Sequence, residues 1–301
     1  MYNSDQKLRF IHDITTSATV ALSYERVFNR SEKIESLHSK DICLMTREQI
    51  DDVINEFTVS KSSTTKHYIR QIRTYIKWCY DNGLSESYVE ITESKVDRYS
   101  PILNAMVKDP DDLQDRMNIL FDKESELTKD LIYRCYFWLA FMGITKEDMP
   151  KITTEDVDTA LRIVELNDTV YQIPECAVDA FKACVSQTFF YVNAFNTQYK
   201  SERSDGNVLL RTSKDVILSK SLSLSATIDR RRKEKHAVFT LRYSDTLLSG
   251  MFYRMYLSEQ DGILVDFKGV IAESTHKQST LFRKNKRYKE EYYAWKRAFN
   301  L

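Results

Sequence analysis

A chain of 301 residues with 42% hydrophobic and 29% charged content is longer than one core usually serves and too apolar for global disorder, so two folded domains are expected. Its 44 basic and 44 acidic residues cancel, so net charge does not announce a nucleic-acid partner and only the distribution of charge can. Six glycines and four prolines disfavour sandwiches, barrels and glycine-rich phosphate loops and favour helices.

Five cysteines (Cys43, Cys79, Cys135, Cys176, Cys184) include no Cys-x-x-Cys pair, and neither an export signal nor a long apolar run opens the chain, which fits a reducing cytoplasm and no membrane partner. His12, His38, His67, His236 and His276 lack metal-ligand spacing, so no metal and no cofactor are expected.

Residues 4–29 have helical periodicity, with Leu8, Ile11, Ile14, Ala18, Ala21 and Leu22 on one side. A second helix starts at Thr46, where Thr46-Arg47-Glu48-Gln49 approximates a capping box. A polar stretch over 60–65 leads into a third helix that stops at Gly83, a natural C-terminal cap. At about 100° per residue, Tyr68, Ile69, Ile72, Tyr75, Ile76 and Cys79 form one apolar stripe, and Lys66, Arg70, Arg73 and Lys77 cluster on the opposite side with no acidic residue between them. Four like charges at this spacing repel one another, so an anion such as phosphate is the natural complement, with a solvated face as the plain alternative.

Residues 94–115 contain Pro101, Pro110 and the acidic run Asp109, Asp111, Asp112, and read as a linker. The expected domains are therefore 1–108, a linker at 109–126, and 127–301. The second opens with an apolar helix over 127–142 ending at Gly143. Residues 161–166 and 169–174 then read as two short strands about an Asn167-Asp168 turn, with a helix from Glu175. The fold class is mainly α with a small β-hairpin or sheet. Two dense basic runs follow: Arg230-Arg231-Arg232-Lys233-Glu234-Lys235-His236, after a serine-rich helix over 219–228, and Arg283-Lys284-Asn285-Lys286-Arg287-Tyr288-Lys289. Tyr292, Tyr293, Trp295 and Phe299 suggest a C-terminal packing helix that could serve self-association.

Residues 63–83 resemble the core-binding domain of tyrosine recombinases, the phage integrase family, whose pattern runs from a Thr-rich cap through Tyr and basic residues to an apolar helix and Gly. Residues 138–157 look like the opening of that family's catalytic domain, where Gly-x-Arg-x-x-Glu precedes an Asp-Val strand start. The resemblance spans about two-thirds of the chain and implies a two-domain clamp around DNA. It also implies a tyrosine nucleophile, two phosphate-holding arginines and a hairpin lysine. Here the first arginine corresponds to Thr145, with Lys146 beside it, and the glutamate to Asp148. The hairpin turn holds Asn167 in place of lysine. The His-x-x-Arg box falls on Leu248 and Met251, with Arg254 as an available substitute. Phe282 stands at the nucleophile position and Tyr288 six residues later.

The resulting expectation is an inactive recombinase fold, not an enzyme. It resembles the recombinase-derived master repressors of SPbeta-type prophages and would bind double-stranded operator DNA. The expected DNA contacts are Lys61, Thr64, Lys66, Arg70, Arg73, Lys77, Arg230, Arg231, Arg232, Lys235, Arg242, Arg254, Arg283, Lys284, Lys286 and Arg287. A regulatory protein or peptide is a further expected class of partner. Two alternatives stay open: a divergent active integrase using Arg254, Lys146 and Tyr288, and a phage interaction protein that has abandoned DNA.

Overall fold

The computed structural model describes residues 1–57, 62–91, 99–121, 128–187, 189–194, 197–202, 208–213, 216–217, 222–263, 265, 267 and 278–301. Lys61 and His276 lie outside these. The side chains of Thr64, Phe282, Arg283 and Lys284 are likewise outside the description, although their backbones are helical. The chain divides into two compact units, Met1–Ile102 and Leu103–Leu301. It is mainly helical with small antiparallel sheets. No helix among the described residues is long and apolar enough to cross a membrane.

The first unit contains α1 (Ser4–Ile14), α2 (Ala18–His38), α3 (Arg47–Asn55) and α4 (Ser62–Asp81). The single helix expected over 4–29 is two, because the Thr15 hydroxyl accepts from the Ser17 amide at 3.0 Å and Thr15 is extended, which breaks the ladder before α2 begins. The α1 stripe also differs from the expected one: Lys7, Phe10 and Ile11 are buried, whereas Leu8 and Leu22 face solvent. Thr46 forms the expected capping box, its amide donating to Gln49 Oε1 at 3.0 Å. Helix α4 buries Ile69, Ile72, Tyr75, Ile76 and Cys79 as its periodicity requires. It ends in a Schellman motif, with Leu84 N donating to Cys79 O at 2.9 Å and Gly83 at φ +69°.

Polar groups also enter this core. Lys7 and Glu35 are fully buried and paired at 2.5 Å, and the Ser31 hydroxyl donates to the same carboxylate at 2.7 Å. The Tyr75 hydroxyl sits 3.0 Å from both Asp41 oxygens. Desolvation raises the Glu35 pKa, opposed by the Lys7 ammonium.

The second unit corrects the expected linker. Residues 110–120 form a helix: after the short α5 (Ser100–Ala105), α6 (Pro110–Leu120) packs Leu113, Met117 and Leu120 into this unit's core. Asp109 is its N-cap, accepting from Asp112 N at 2.9 Å, and Pro110 occupies the first turn, where a missing N–H costs nothing. The aspartates that suggest a linker are thus a helix start.

Helix α7 (Thr128–Met142) is the buried axis, with Trp138, Leu139 and Ala140 at 0% exposure. Beside it, β1 (Val157–Asp158), β2 (Ile163–Leu166) and β3 (Thr169–Gln172) form an antiparallel sheet in the order β1-β2-β3. The β2–β3 turn is Asn167-Asp168, both at positive φ (48° and 59°), as a two-residue primed turn demands. The helix expected from Glu175 starts as a 3-10 turn and continues as α8 (Val178–Val185). Two hairpins that the sequence does not reveal follow: β4 (Phe189–Ala194) with β5 (Thr197–Glu202), and β6 (Arg211–Ser213) with β7 (Val216–Ile217).

Helix α9 (Leu222–Glu234) carries Arg230–Lys233 of the first basic run, and Lys235 and His236 lie in the turn that follows. Helices α10 (Tyr243–Gln260) and α11 (Gln278–Ala298) complete the unit. Of the C-terminal aromatics, Tyr292 and Trp295 are fully buried against Phe252, Trp295 Nε1 donates to Val107 O at 2.9 Å, and Tyr293 is exposed.

Candidate nucleic-acid interface

Lys66, Arg70, Arg73 and Lys77 are all exposed on α4, opposite its buried stripe. They are not equivalent. Lys77 pairs with Asp81 at 3.0 Å, so an acid does interrupt the expected cationic face, one turn further along. Arg73 donates to the Ile91 carbonyl and ties down the segment after the helix. Arg70 makes no ion pair among the described residues, and its guanidinium lies near the Tyr24 phenol on α2. The neighbouring His67 ring meets Ser23 Oγ at 3.3 Å, and Gln71 donates to the same hydroxyl at 2.9 Å, so α2 and α4 carry this surface together.

In the second unit the cations also separate into tethered and presented groups. Arg231 is structural: it pairs with the buried Asp130 at 2.7 Å, donates to Leu120 O at 3.2 Å and lies over the Phe121 ring. Arg230 pairs with Glu234 at 2.8 Å on the helix surface, Arg232 is half-buried, and Lys235 is exposed just beyond α9. Arg242 is exposed and precedes α10. On α11, Arg287 pairs with Glu291 at 2.8 Å and Lys286 is exposed.

The positions at which the sequence resemblance places a reactive centre can be followed in the same unit. Gly143, at φ +103°, closes α7, and the chain turns into 144–151. The Thr145 hydroxyl donates to Asp148 Oδ2 at 2.7 Å, and Lys151 Nζ donates to Asp148 Oδ1 at 2.6 Å. Asn167, from the β2–β3 turn, adds a further side-chain hydrogen bond to the same carboxylate. These donors, Lys151 foremost, hold Asp148 below the usual carboxylate range. Thr145 and Asn167, far apart in sequence, therefore meet on one anion. A carboxylate already satisfied by three side chains repels a phosphate instead of holding one.

Arg254 projects from α10 to the end of α7, donating to Phe141 O at 2.7 Å. A side chain on residue 143 would meet its Nη2 at 2.8 Å, so the glycine makes room for the guanidinium to cap the helix. Met251 lies three residues earlier on α10 and is half-buried. Lys146 Nζ sits 4.6 Å above the Tyr243 ring, whose hydroxyl donates to Ile144 O at 3.1 Å. Burial, with Glu147 nearby, pushes the Tyr243 pKa up to about 12. Tyr288 is half-buried on α11, its pKa raised by desolvation against the pull of Arg287. Phe282 lies on the same helix.

Sequence reasoning missed the carboxylate cluster because Lys151 and Asn167 join Asp148 only through the fold. The Asp-x-x-Lys spacing at 148 and 151 was its one visible trace. It also missed the capping role of Arg254, for which Gly143 was the available hint.

Residues 1–81 match the family model described as "MrpR, N-terminal core-binding domain". No curated protein sequence matches the chain. Among solved structures, XerA recombinase is similar at 13% identity and a TM-score of 0.39, over 93% of this chain and 95% of that one. The Tn1549 transposon integrase in complex with circular intermediate DNA is similar at 11% identity and a TM-score of 0.38, over 93% of each chain. An integrase from mycobacterium phage Brujita is similar at 13% identity and a TM-score of 0.36, over 97% of this chain and 91% of that one.

Proposed function

We propose that this protein binds double-stranded DNA sequence-specifically without cutting it, and acts as a prophage transcriptional repressor that maintains lysogeny by occupying operators in the bacterial cytoplasm. The observation that carries the reading is the exposed cationic face of α4, with Arg70 unpaired among the described residues, inside the segment that matches a core-binding domain model. Lys235, Arg242 and Lys286 add exposed positive charge in the second unit. Phosphate neutralisation by such cations releases counterions and makes binding steeply salt-dependent.

The absence of cleavage is supported by the chemistry at 145–151. Phosphoryl transfer to a tyrosine needs positive charge focused on the non-bridging oxygens, and each such donor is worth about 2.7–4 kcal/mol of barrier. Here Thr145 and Asn167 serve Asp148, Arg254 serves the α7 terminus, and Lys146 stacks on Tyr243.

Genome-wide footprinting with the purified protein, followed by incubation with nicked versions of the recovered sites, tests both halves. Discrete salt-sensitive footprints without covalent adducts are expected. An adduct abolished by Tyr288→Phe would replace this reading with an active recombinase, and failure to shift any fragment at low salt would replace it with a protein-interaction role.

A further inference from the structure

The core of the first unit holds a thiol pair that the DNA-binding reading does not use. Cys79, on the buried side of α4, and Cys43, in the 3-10 turn Ile42–Leu44 packed against that helix, are hydrogen-bonded to each other. Their exposures are 0% and 4%. The side-chain amide nitrogen of Gln6 lies 3.3 Å from Cys79 Sγ, 3.6 Å from Cys43 Sγ and 2.8 Å from the Tyr75 hydroxyl. Gln6, whose amide touches both sulfurs, is half-buried.

The two sulfurs are differentiated. Donation from the Cys43 thiol, with a further hydrogen bond from Gln6, lowers the Cys79 pKa against burial, while Cys43, holding the shared proton beside Asp41, is raised. The other thiol pair in the chain differs. Cys135 donates to Ala180 O at 3.3 Å, Cys184 donates to Leu209 O at 3.5 Å, and full burial raises Cys135.

We propose that Cys43 and Cys79 form a modification site, a dithiol that a hydroperoxide converts to a disulfide, and that closing this bond weakens the hold of α4 on DNA. The second half rests on the proposed DNA-binding function. The Cys79 sulfur attacks the terminal peroxide oxygen, forming an S–O bond and releasing the alcohol, or water when the oxidant is hydrogen peroxide. The Cys43 sulfur then attacks Cys79, the S–S bond forms, and hydroxide departs as water with the Cys43 proton. Two thiols lose two electrons and one peroxide gains them. The sulfurs must close to about 2.05 Å. That movement draws Ile42–Leu44 against α4, beside the Asp41–Tyr75 hydrogen bonds that fix the helix.

The test uses the full reduced chain, titrated with hydrogen peroxide, alkylated after unfolding and mapped without reduction. The expected product is a Cys43–Cys79 linked peptide pair two hydrogens lighter than its parts, reversed by dithiothreitol, with Cys135 and Cys184 recovered as alkylated thiols. Recovery of Cys43 and Cys79 as free thiols, or earlier linkage of Cys135 to Cys184, would overturn the site. The linked sample should bind a footprinted fragment about tenfold more weakly than the reduced one, whereas Cys43→Ser and Cys79→Ser should bind it equally with or without peroxide. Equal binding by linked and reduced wild type would overturn the coupling to α4. If reduced wild type binds no fragment, the DNA-binding reading fails, and the mapping still decides the site because it needs neither DNA nor a variant.

Discussion

The Thr145 hydroxyl donates to the Asp148 carboxylate at 2.7 Å, joining the two positions that the sequence resemblance sets against an arginine and a glutamate. The pair is exposed, so its contribution is small: removing one hydrogen bond to a charged group costs about 1.5–3 kcal/mol when buried and less at a surface. Thr145→Ala should therefore lower the thermal midpoint by no more than a few degrees and leave DNA affinity unchanged. A large loss of affinity in a gel-shift titration would mean that Thr145 touches DNA.

The same carboxylate predicts a pH dependence. Its folded pKa lies below the ordinary value, so the loop's stability is fully present above the unfolded carboxyl's pKa, about 3.9. It is lost as pH falls through the depressed folded value. Asp148→Asn should flatten the acid limb of the unfolding curve below about pH 4 and leave the neutral region unaltered. An acid limb identical to wild type would show that Lys151, Thr145 and Asn167 do not stabilise the anion.

Arg70 and Arg73, one turn apart on α4, should separate binding from stability. Arg70→Ala should weaken DNA binding and reduce the salt slope by about one contact, roughly 0.9 in the log–log plot, with an unchanged melting curve. Arg73→Ala should also lower stability, by about 1 kcal/mol, because its guanidinium holds the Ile91 carbonyl. Equal melting losses in both variants would contradict that division.

Much of the fold was legible where a local rule acted alone. The Thr46 capping box, the Gly83 and Gly143 stops, the α4 stripe and the Asn167-Asp168 turn each depend on a few adjacent residues. Reading failed where one residue type serves two purposes. Pro110 after Asp109 is as good a helix start as a linker, and only the burial of Leu113 and Met117 decides between them. The cations show the same ambiguity. Arg231 and Lys235 look alike in sequence, yet one meets the buried Asp130, which lies a hundred residues earlier in the chain, and the other faces solvent. A charge pattern shows where cations are, while their partners come from tertiary pairing.

The crossing of α7 and α10 turns on Gly250. A methyl group there would lie 1.8 Å from Phe141 O, a backbone atom of the buried helix, so neither neighbour can yield by rotating a side chain. Gly250→Ala would gain about 1 kcal/mol of helix propensity, but separating the helices would open the packing around Trp138 and Phe252, both fully buried. A net loss above about 3 kcal/mol is expected from overpacking at a backbone contact. Gly262→Ala is the control: its Cβ would meet nothing within 4 Å, and only the left-handed backbone at φ +75° opposes it, at about 1–2 kcal/mol. Urea unfolding of the two variants compares them directly. If Gly250→Ala proved no less stable than Gly262→Ala, the two helices would not cross at this glycine.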